Sequence, residues 1–374
     1  MPVINDLVGD QRLHRMASTL SENGYNVLVT GRLLPDSLPL DARNYSCRRV
    51  KMWFTRGKAF YLEYNLRLLL FLLRQRVDII HANDLDTLLA SFLAARIKRI
   101  PLVYDSHEYF TEVPELIDRP RTRKIWLLLE QWIFPRLRYV YTVNESIANI
   151  YSQKYGVKVR TIRNLPVSKP KPLPKSDSQS DQPSTFILLY QGALNIGRGI
   201  ELMIKSMQYL PGCELWIIGK GDVEQELRQL SRRQPYPQRI VFQGFVPPDK
   251  LYTLTAQASV GLSLEEDRGE NYRLASPNKI YDYIQARIPV IVSDLPEMRK
   301  IIEKFHVGEI LPASQYHPKG LAAKVQQLYT DPVTYNRYVK ATYIASGMLN
   351  WEIEQQKLLD IYQELETSSS RSFA

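Results

Sequence analysis

The sequence predicts an α/β chain made of two consecutive doubly wound domains. Three observations carry that reading. Short apolar runs alternate with amphipathic stretches along most of the 374 residues, a segment rich in Pro, Ser and Lys interrupts the alternation once near the middle, and the alternation then restarts. That length, with 44% hydrophobic and 24% charged residues, provides for two buried cores and excludes a mini-protein, a fibre or a wholly disordered tail.

The elements follow in order. Only Pro2, Val3 and Ile4 precede the first turn, so the opening strand looks clipped. Residues 10–23 place Leu13, Met16, Ala17 and Leu20 at i, i+3, i+4 and i+7, a helical stripe closed by Gly24. Apolar runs at 27–30, 77–82, 101–104, 139–143 and 159–162 predict strands, with helices at 85–98 and 124–132. Residues 166–184 contain no aromatic residue and read as an exposed linker. Beyond them, runs at 186–190, 214–218, 240–242, 260–264 and 289–292 predict strands, each followed by a helix. The expected organisation is a domain over 1–165, a linker over 166–184, a second domain over 185–349, and a remaining helix at 351–365.

Several classes drop out. The longest purely apolar run, residues 68–73 between Arg67 and Arg74, falls far short of the roughly 20 residues that span a bilayer. The first residues have neither a basic nor an apolar leader region, so a cytosolic setting is expected. Cys47 and Cys213 lie far apart in no metal-like spacing and read as reduced thiols. The net charge is +10, and residues 1–165 hold 25 Lys and Arg against 16 Asp and Glu. A basic surface of that kind attracts nucleic acid, anionic lipid or an acidic substrate.

In open α/β sheets, ligands bind beyond the carboxyl ends of the strands. After the run at 186–190 comes a glycine-rich turn from Gly192 to Gly199, in which Arg198 stands where a P-loop has lysine and Gly199 where it has Ser or Thr. Magnesium-dependent nucleotide hydrolysis is therefore poorly supported. What survives is a metal-free phosphate site of open N–H groups, the start of a helix at 200–210 and one guanidinium, against a plain solvent-facing arginine. Gly219 and Gly221 form a second tight turn. Ser276 and Pro277 predict a helix start that projects Asn278 and Lys279, a lysine the helix dipole tolerates better with an anion nearby. In the first half, His107 is the best candidate for a cleft histidine. Asp84 and Asp86 are expected to cap the helix at 85–98 rather than hold a metal. No Ser/His/Asp order, zinc spacing or paired glycosidase carboxylates stand out.

Taken together, these residues resemble a known family. The motifs are Asn5-Asp6-Leu7 with Asp10-Gln11-Arg12, Gly24-Tyr25-Asn26-Val27, Asp78-Ile79-Ile80-His81-Ala82, and Val103 to Glu108. In the second half they are Tyr190-Gln191-Gly192 with Arg198-Gly199, Ile217 to Gly221, Val241 to Val246, and Ser276 to Lys279 leading to Ile288-Pro289-Val290-Ile291. In order and spacing they resemble the retaining GT-B glycosyltransferases of glycosyltransferase family 4, the group 1 enzymes, from Asp6 to about Leu365.

The resemblance implies two Rossmann-like domains facing across a cleft, with the last helix crossing back onto the first. It implies a hexosyl-type transferase that uses a nucleoside diphosphate sugar, UDP- or GDP-linked, bound by the second domain, and a glycan or lipid-linked acceptor bound by the first. Bacterial surface polysaccharide or glycolipid synthesis is the implied setting. Arg198 and Lys279 would neutralise the diphosphate in place of a metal, so no cofactor is expected, and His107 would contact the transferred sugar. Donor contacts would come from Gly192, Gly199, Gly219, Gly221, Phe245, Val246, Ser276, Asn278 and Asp282, and cleft contacts on the acceptor side from Asp10, Arg12, Asn83 and Asp84. One departure stands out: the family's E-x7-E pair corresponds here to Leu274 and Asp282. A nucleotide-sugar 2-epimerase, a phosphorylase and a binding module without activity are the competing readings. Basic residues at 48, 49, 51, 56 and 58, among Trp53, Phe54, Phe60 and Tyr61, suit peripheral contact with anionic membrane. So does the cluster at 119, 121, 123 and 124 before Trp126, and no nucleic-acid partner is expected.

Overall fold

The computed structural model describes residues 1–35, 37–170 and 185–371. It divides into two compact units, one of Met1–Asn164 with Glu354–Ala374 and one of Leu165–Ile353. Most of the expected linker, residues 171–184, lies outside the described residues.

In the first unit, β1 (Leu28–Leu33) pairs in parallel with β2 (Ser46–Lys51), and β3 (Ile80–Asn83), β4 (Leu102–Ser106), β5 (Tyr139–Thr142) and β6 (Val159–Thr161) form a parallel sheet in that order. The opening segment sits against β1. Val3 N–H donates to the Thr30 carbonyl at 2.9 Å and Arg32 N–H to the Asn5 carbonyl at 3.0 Å. Further contacts come from the Asn83 amide, donating to the Pro2 carbonyl at 2.9 Å, and the Tyr64 hydroxyl, donating to the Val3 carbonyl at 2.7 Å. Residues 1–5 thus run alongside β1. Strand β2 was not foreseen, because Ser46-Cys47-Arg48-Arg49-Val50-Lys51 lacks an apolar run; as an edge strand it can carry charge toward solvent.

The first helix, Gln11–Glu22, buries Leu13, Met16, Ala17 and Leu20 as the spacing predicts, and Asp10 caps it by accepting from Leu13 N–H at 2.9 Å. The last helix runs longer than expected, Trp351–Arg371, and buries Leu358, Ile361, Tyr362 and Leu365. Its Tyr362 meets His81 of β3, whose Nδ1 lies 2.9 Å from the Tyr362 hydroxyl and whose Nε2 lies 2.7 Å from the Tyr141 hydroxyl.

The second unit is a six-stranded parallel sheet of β7 (Phe186–Gln191), β8 (Cys213–Ile218), β9 (Ile240–Gly244), β10 (Val260–Ser263), β11 (Val290–Ser293) and β12 (Gly308–Leu311), in the order β12-β11-β10-β7-β8-β9. Strands buried on both faces send alternate residues into two cores: Leu188 joins the cluster around Met203 and Val325, and Leu189 the cluster around Tyr283 and Met298. Strand β12 was also missed. Glu309 interrupts its apolar run, and the carboxylate is met by Lys324 at 2.9 Å and the Tyr338 hydroxyl at 2.5 Å. No helix among the described residues is long and apolar enough to cross a membrane.

Burial holds the His81 ring neutral, with its pKa pushed down to about 3. The sign follows from linkage: the unfolded ring protonates near 6.5 and the folded one does not, so stability present above pH 6.5 is lost as the pH falls toward 3. Urea titrations of wild type and His81→Gln between pH 6.5 and 4.5 are expected to show a steeper loss in wild type, by up to about 1.4 kcal/mol per pH unit. Parallel losses would assign the acid sensitivity to other groups.

Candidate functional site

The sheet of the second unit reverses its order between β7 and β10, which makes the space beyond their carboxyl ends the topological switch point where such folds bind ligands. The turn from Gly192 to Gly199 leaves the end of β7, and Leu264 and Glu265 leave the end of β10. Glu265 is fully buried. Its Oε1 accepts from Lys279 Nζ at 2.5 Å and lies 3.7 Å from Arg198 Nη1, and its Oε2 accepts from the Ser263 hydroxyl at 2.7 Å. Aromatic rings hold both cations, with Lys279 Nζ 4.6 Å from the Tyr190 ring centre and the Arg198 guanidinium 5.1 Å from that of Tyr272.

The electrostatics are those of one anion shared by two cations. Burial lowers the Lys279 pKa; Glu265 opposes that shift and Arg198 adds to it. Burial works to raise the Glu265 pKa, but the two cations hold it below the usual carboxylate value. One positive charge is left over, and Arg198 is 26% exposed, so the cluster can receive a further anion.

Glycines let the strand-end turns nest backbone on backbone. A Cβ on Gly199, at φ +70°, would sit 2.1 Å from the Leu264 carbonyl oxygen, and one on Gly219, at φ +141°, would sit 1.9 Å from that of Gly192. Gly221 is packed the same way against Leu194. The N–H groups of Gly192 and Gly219 are taken up within the turns, donating to the carbonyls of Ile218 at 2.9 Å and Gly244 at 2.8 Å. The helix that follows, Ile200–Ser206, continues as a 3-10 turn over Met207–Tyr209, close to the expected 200–210.

The other donor-side residues divide. Asn278 and Lys279 open the helix Asn278–Gln285, but its N-cap is Pro277, and the Ser276 hydroxyl, expected to cap, is 2.6 Å from that of Tyr281 instead. The chain enters the helix one residue later than the sequence suggested. Asp282 accepts from the Gln191 side-chain amide at 3.1 Å, which ties the helix to the end of β7. Phe245 is 64% exposed just past β9, and Val246 is partly buried, packed against a hydrophobic core.

In the first unit, Asp84 follows β3 and His107 follows β4. His107 lies between two carboxylates, Nδ1 3.1 Å from Asp84 Oδ2 and Nε2 2.9 Å from Asp105 Oδ2, and its backbone N–H donates to Asp84 Oδ1 at 2.8 Å. Asp84 was expected to cap the helix Leu85–Lys98; its side chain makes no cap bond and holds His107 instead. Asp86, the other half of the pair, is buried, and its pKa is raised well above the usual carboxylate value, by burial first and by the charge of Asp84 second. Arg12 was placed among the acceptor contacts. It is 4% exposed and grips Asp105 with Nε at 2.9 Å and Nη2 at 2.8 Å, while Nη1 donates to the Ile162 carbonyl at 3.1 Å, so it positions Asp105 rather than reaching a ligand. Asn83 is likewise buried, and Asp10 is spent as a helix cap.

Burial disfavours a charged His107, but Asp84 and Asp105 outweigh it and raise its pKa well above 6.5. Asp105 is held well below the usual carboxylate range: burial opposes this, and Arg12 and His107 prevail. Sequence reasoning missed Asp105 and Glu265 as site residues. The available signal was a carboxylate at, or directly after, the end of an apolar run.

Residues 10–165 match the family Glycosyltransferase Family 4, and residues 175–344 match Glycosyl transferases group 1. The chain belongs to the group 1 glycosyltransferases. It is an enzyme of the hexosyltransferase class, which sets aside the inactive binding module and the epimerase. Among curated relatives, it is 23% identical over 275 residues to EpsD of Bacillus subtilis, named as a glycosyltransferase, with 68% of each chain covered. It is 25% identical over 179 residues to a phosphatidyl-myo-inositol mannosyltransferase of Mycobacterium leprae, covering 46% of this chain and 45% of that one, so the match spans less than half of that relative. The solved structure of Anabaena HepE with UDP and glucose shares the GT-B fold at a TM-score of 0.71 and 16% identity, covering 96% of this chain and 98% of that one.

Asp105→Asn is expected to cost about 3–5 kcal/mol in urea unfolding, because it leaves the Arg12 charge buried without a carboxylate. NMR titration should also show the His107 pKa moving down toward 6.5. A His107 titration unchanged from wild type would assign its charge to Asp84 alone.

Proposed function

We propose that this glycosyltransferase moves a hexosyl residue, with retention of configuration, from a UDP- or GDP-linked sugar to a glycan or lipid-linked acceptor in surface polysaccharide or glycolipid synthesis. The observation that carries the donor assignment is the pair Arg198 and Lys279 on one buried carboxylate at the switch point of the second unit. The UDP and glucose in the HepE structure support the same reading.

Breaking the bond from sugar to diphosphate builds negative charge on the departing phosphate and positive charge on the sugar ring. Arg198 and Lys279 are already oriented before the donor arrives, so they stabilise the phosphate without reorganisation, and a single such contact is worth about 3–4 kcal/mol in other enzymes. Glu265 fixes both cations and opposes the lowering of the Lys279 pKa by burial. Retention would follow from same-face attack, with the leaving phosphate drawing the proton from the acceptor hydroxyl. His107, charged at neutral pH, is unsuited to act as a base. It serves as a hydrogen-bond donor to the sugar. Nε2 is buried 2.9 Å from Asp105 Oδ2, an ion-pair contact without hydrogen-bond alignment, and the contact of Nδ1 with the more exposed Asp84, at 3.1 Å, is the one that can be given up. Raised by its partners, the imidazolium adds stability that is complete below pH 6.5 and lost as the pH rises through its folded pKa.

Contact with anionic membrane belongs to the same proposal, and exposure divides the residues the sequence singled out. Phe60 and Trp126 are buried, whereas Trp53, Leu62 and Leu66 are 82%, 74% and 56% exposed. Leu70, Ile125 and Leu128 extend the outward apolar set, and Arg67 lies over the Trp53 ring at 4.2 Å. The name of the mycobacterial relative, a phosphatidyl-myo-inositol mannosyltransferase, supports a lipid-linked acceptor.

Arg198→Ala and Lys279→Ala are each expected to reduce nucleotide release from the donor by tenfold to a hundredfold or more while circular dichroism stays native. Near-normal turnover in either would remove that residue from the phosphate clamp. The protein should also sediment with anionic vesicles at low salt and be released at high salt, with Leu62→Ser/Leu66→Ser weakening the binding. Equal binding to neutral vesicles would contradict the electrostatic part.

A further inference from the structure

At the amino ends of β4 and β5, opposite the strand ends that carry His107, the first unit has a cavity of about 360 Å³. Four arginines from two segments line it: Arg96 and Arg99 at the end of the helix Leu85–Lys98, and Arg136 and Arg138 before β5. All four are exposed, and among the described residues none of them pairs with a carboxylate. Phe92, Leu137 and Leu365, each buried, provide an apolar wall, and Tyr139 donates to the Ser368 hydroxyl at 3.3 Å beside it.

One or two cations here would need no ligand. The helix dipole favours a cation in the last turn, which accounts for Arg96 and for Lys98, whose ammonium donates to the Leu73 carbonyl at 3.2 Å. The dipole does not call for Arg136 and Arg138, which come from another segment. Arg99 also occupies a left-handed conformation, φ 59°, where glycine would be strain-free. Like charges gathered without a carboxylate repel one another, and an anion among them removes that cost. Arg96, Arg136 and Arg138 lie 6.0, 6.0 and 5.3 Å from the ring centres of Phe92, Trp132 and Tyr139, and Arg136 donates through Nη1 to the Trp132 carbonyl. Guanidinium N–H edges suit bidentate contact with phosphate oxygens.

We propose that this cavity is a second, non-catalytic binding site for a phosphate-bearing amphiphile, with the phosphate on the guanidinium edges and the apolar part on Phe92, Leu137 and Leu365. It stands apart from the donor cluster and from the apolar stripe of Leu62 and Leu66, and it does not rest on the transfer reaction.

The test is calorimetric titration of the full chain with dihexanoyl phosphatidic acid kept monomeric, with inorganic phosphate and dihexanoyl phosphatidylcholine in parallel. Phosphatidic acid is expected to bind at least tenfold more tightly than either. Arg99→Ala/Arg138→Ala should weaken it tenfold or more, and Leu62→Ser/Leu66→Ser should leave it unchanged. Equal affinity for inorganic phosphate would overturn the amphiphile in favour of a simple anion site. Absence of phosphatidic acid binding, or binding unaffected by the arginine changes, would overturn the site itself.

Discussion

Asp105 and Glu265 have fully buried side chains, and each is an anion divided between two cations at the end of a parallel strand: Asp105 between Arg12 and His107, Glu265 between Lys279 and Arg198. A lone carboxylate could not remain ionised at such depth, because desolvation would protonate it. Two cations per carboxylate reverse that balance. In each cluster one cation is more deeply buried than the other, with Arg12 at 4% and Lys279 at 9% exposed against 17% for His107 and 26% for Arg198. The deeper cation stabilises the carboxylate, and the carboxylate then holds the shallower one toward solvent in a fixed position.

That division of labour explains why several residues that resemble ligand contacts are better understood as supports. Arg12 spends three N–H groups on Asp105 and Ile162, and Asp282 spends an oxygen on Gln191. Removing a support of this kind leaves an uncompensated charge in the interior, so it disturbs stability together with the site it positions. Removing Arg198, at the outer edge of its cluster, disturbs the site with less damage to the fold.

The legibility of the sequence follows the same physics. Strands buried on both faces, such as β7 and β8, must be continuous apolar runs and were readable, as was the helical stripe of Leu13, Met16, Ala17 and Leu20. Edge strand β2 and the Glu309-interrupted β12 were not, because neighbours rather than composition satisfy their charges. Of the site, the glycine turns, Arg198, Lys279 and His107 were marked by motif. Glu265 and Asp105 were not, because a carboxylate beside a strand looks the same in sequence whether it ends in solvent or in the interior, and only the fold brings its cations within reach.

The basic excess of the first half separates along the same line. Arg12, Arg67, Arg123, Lys154, Arg160 and Arg163 each meet a carboxylate, so these charges are compensated at the place where they are made. Of the charges that remain, four guanidiniums gather at one cavity, three of them near aromatic rings. A uniform basic field would attract anions of every kind over a Debye length of about 10 Å and weaken with salt. A group of arginine forks beside an apolar wall selects by geometry as well as by charge, so this part of the basic excess suits phosphate joined to something apolar.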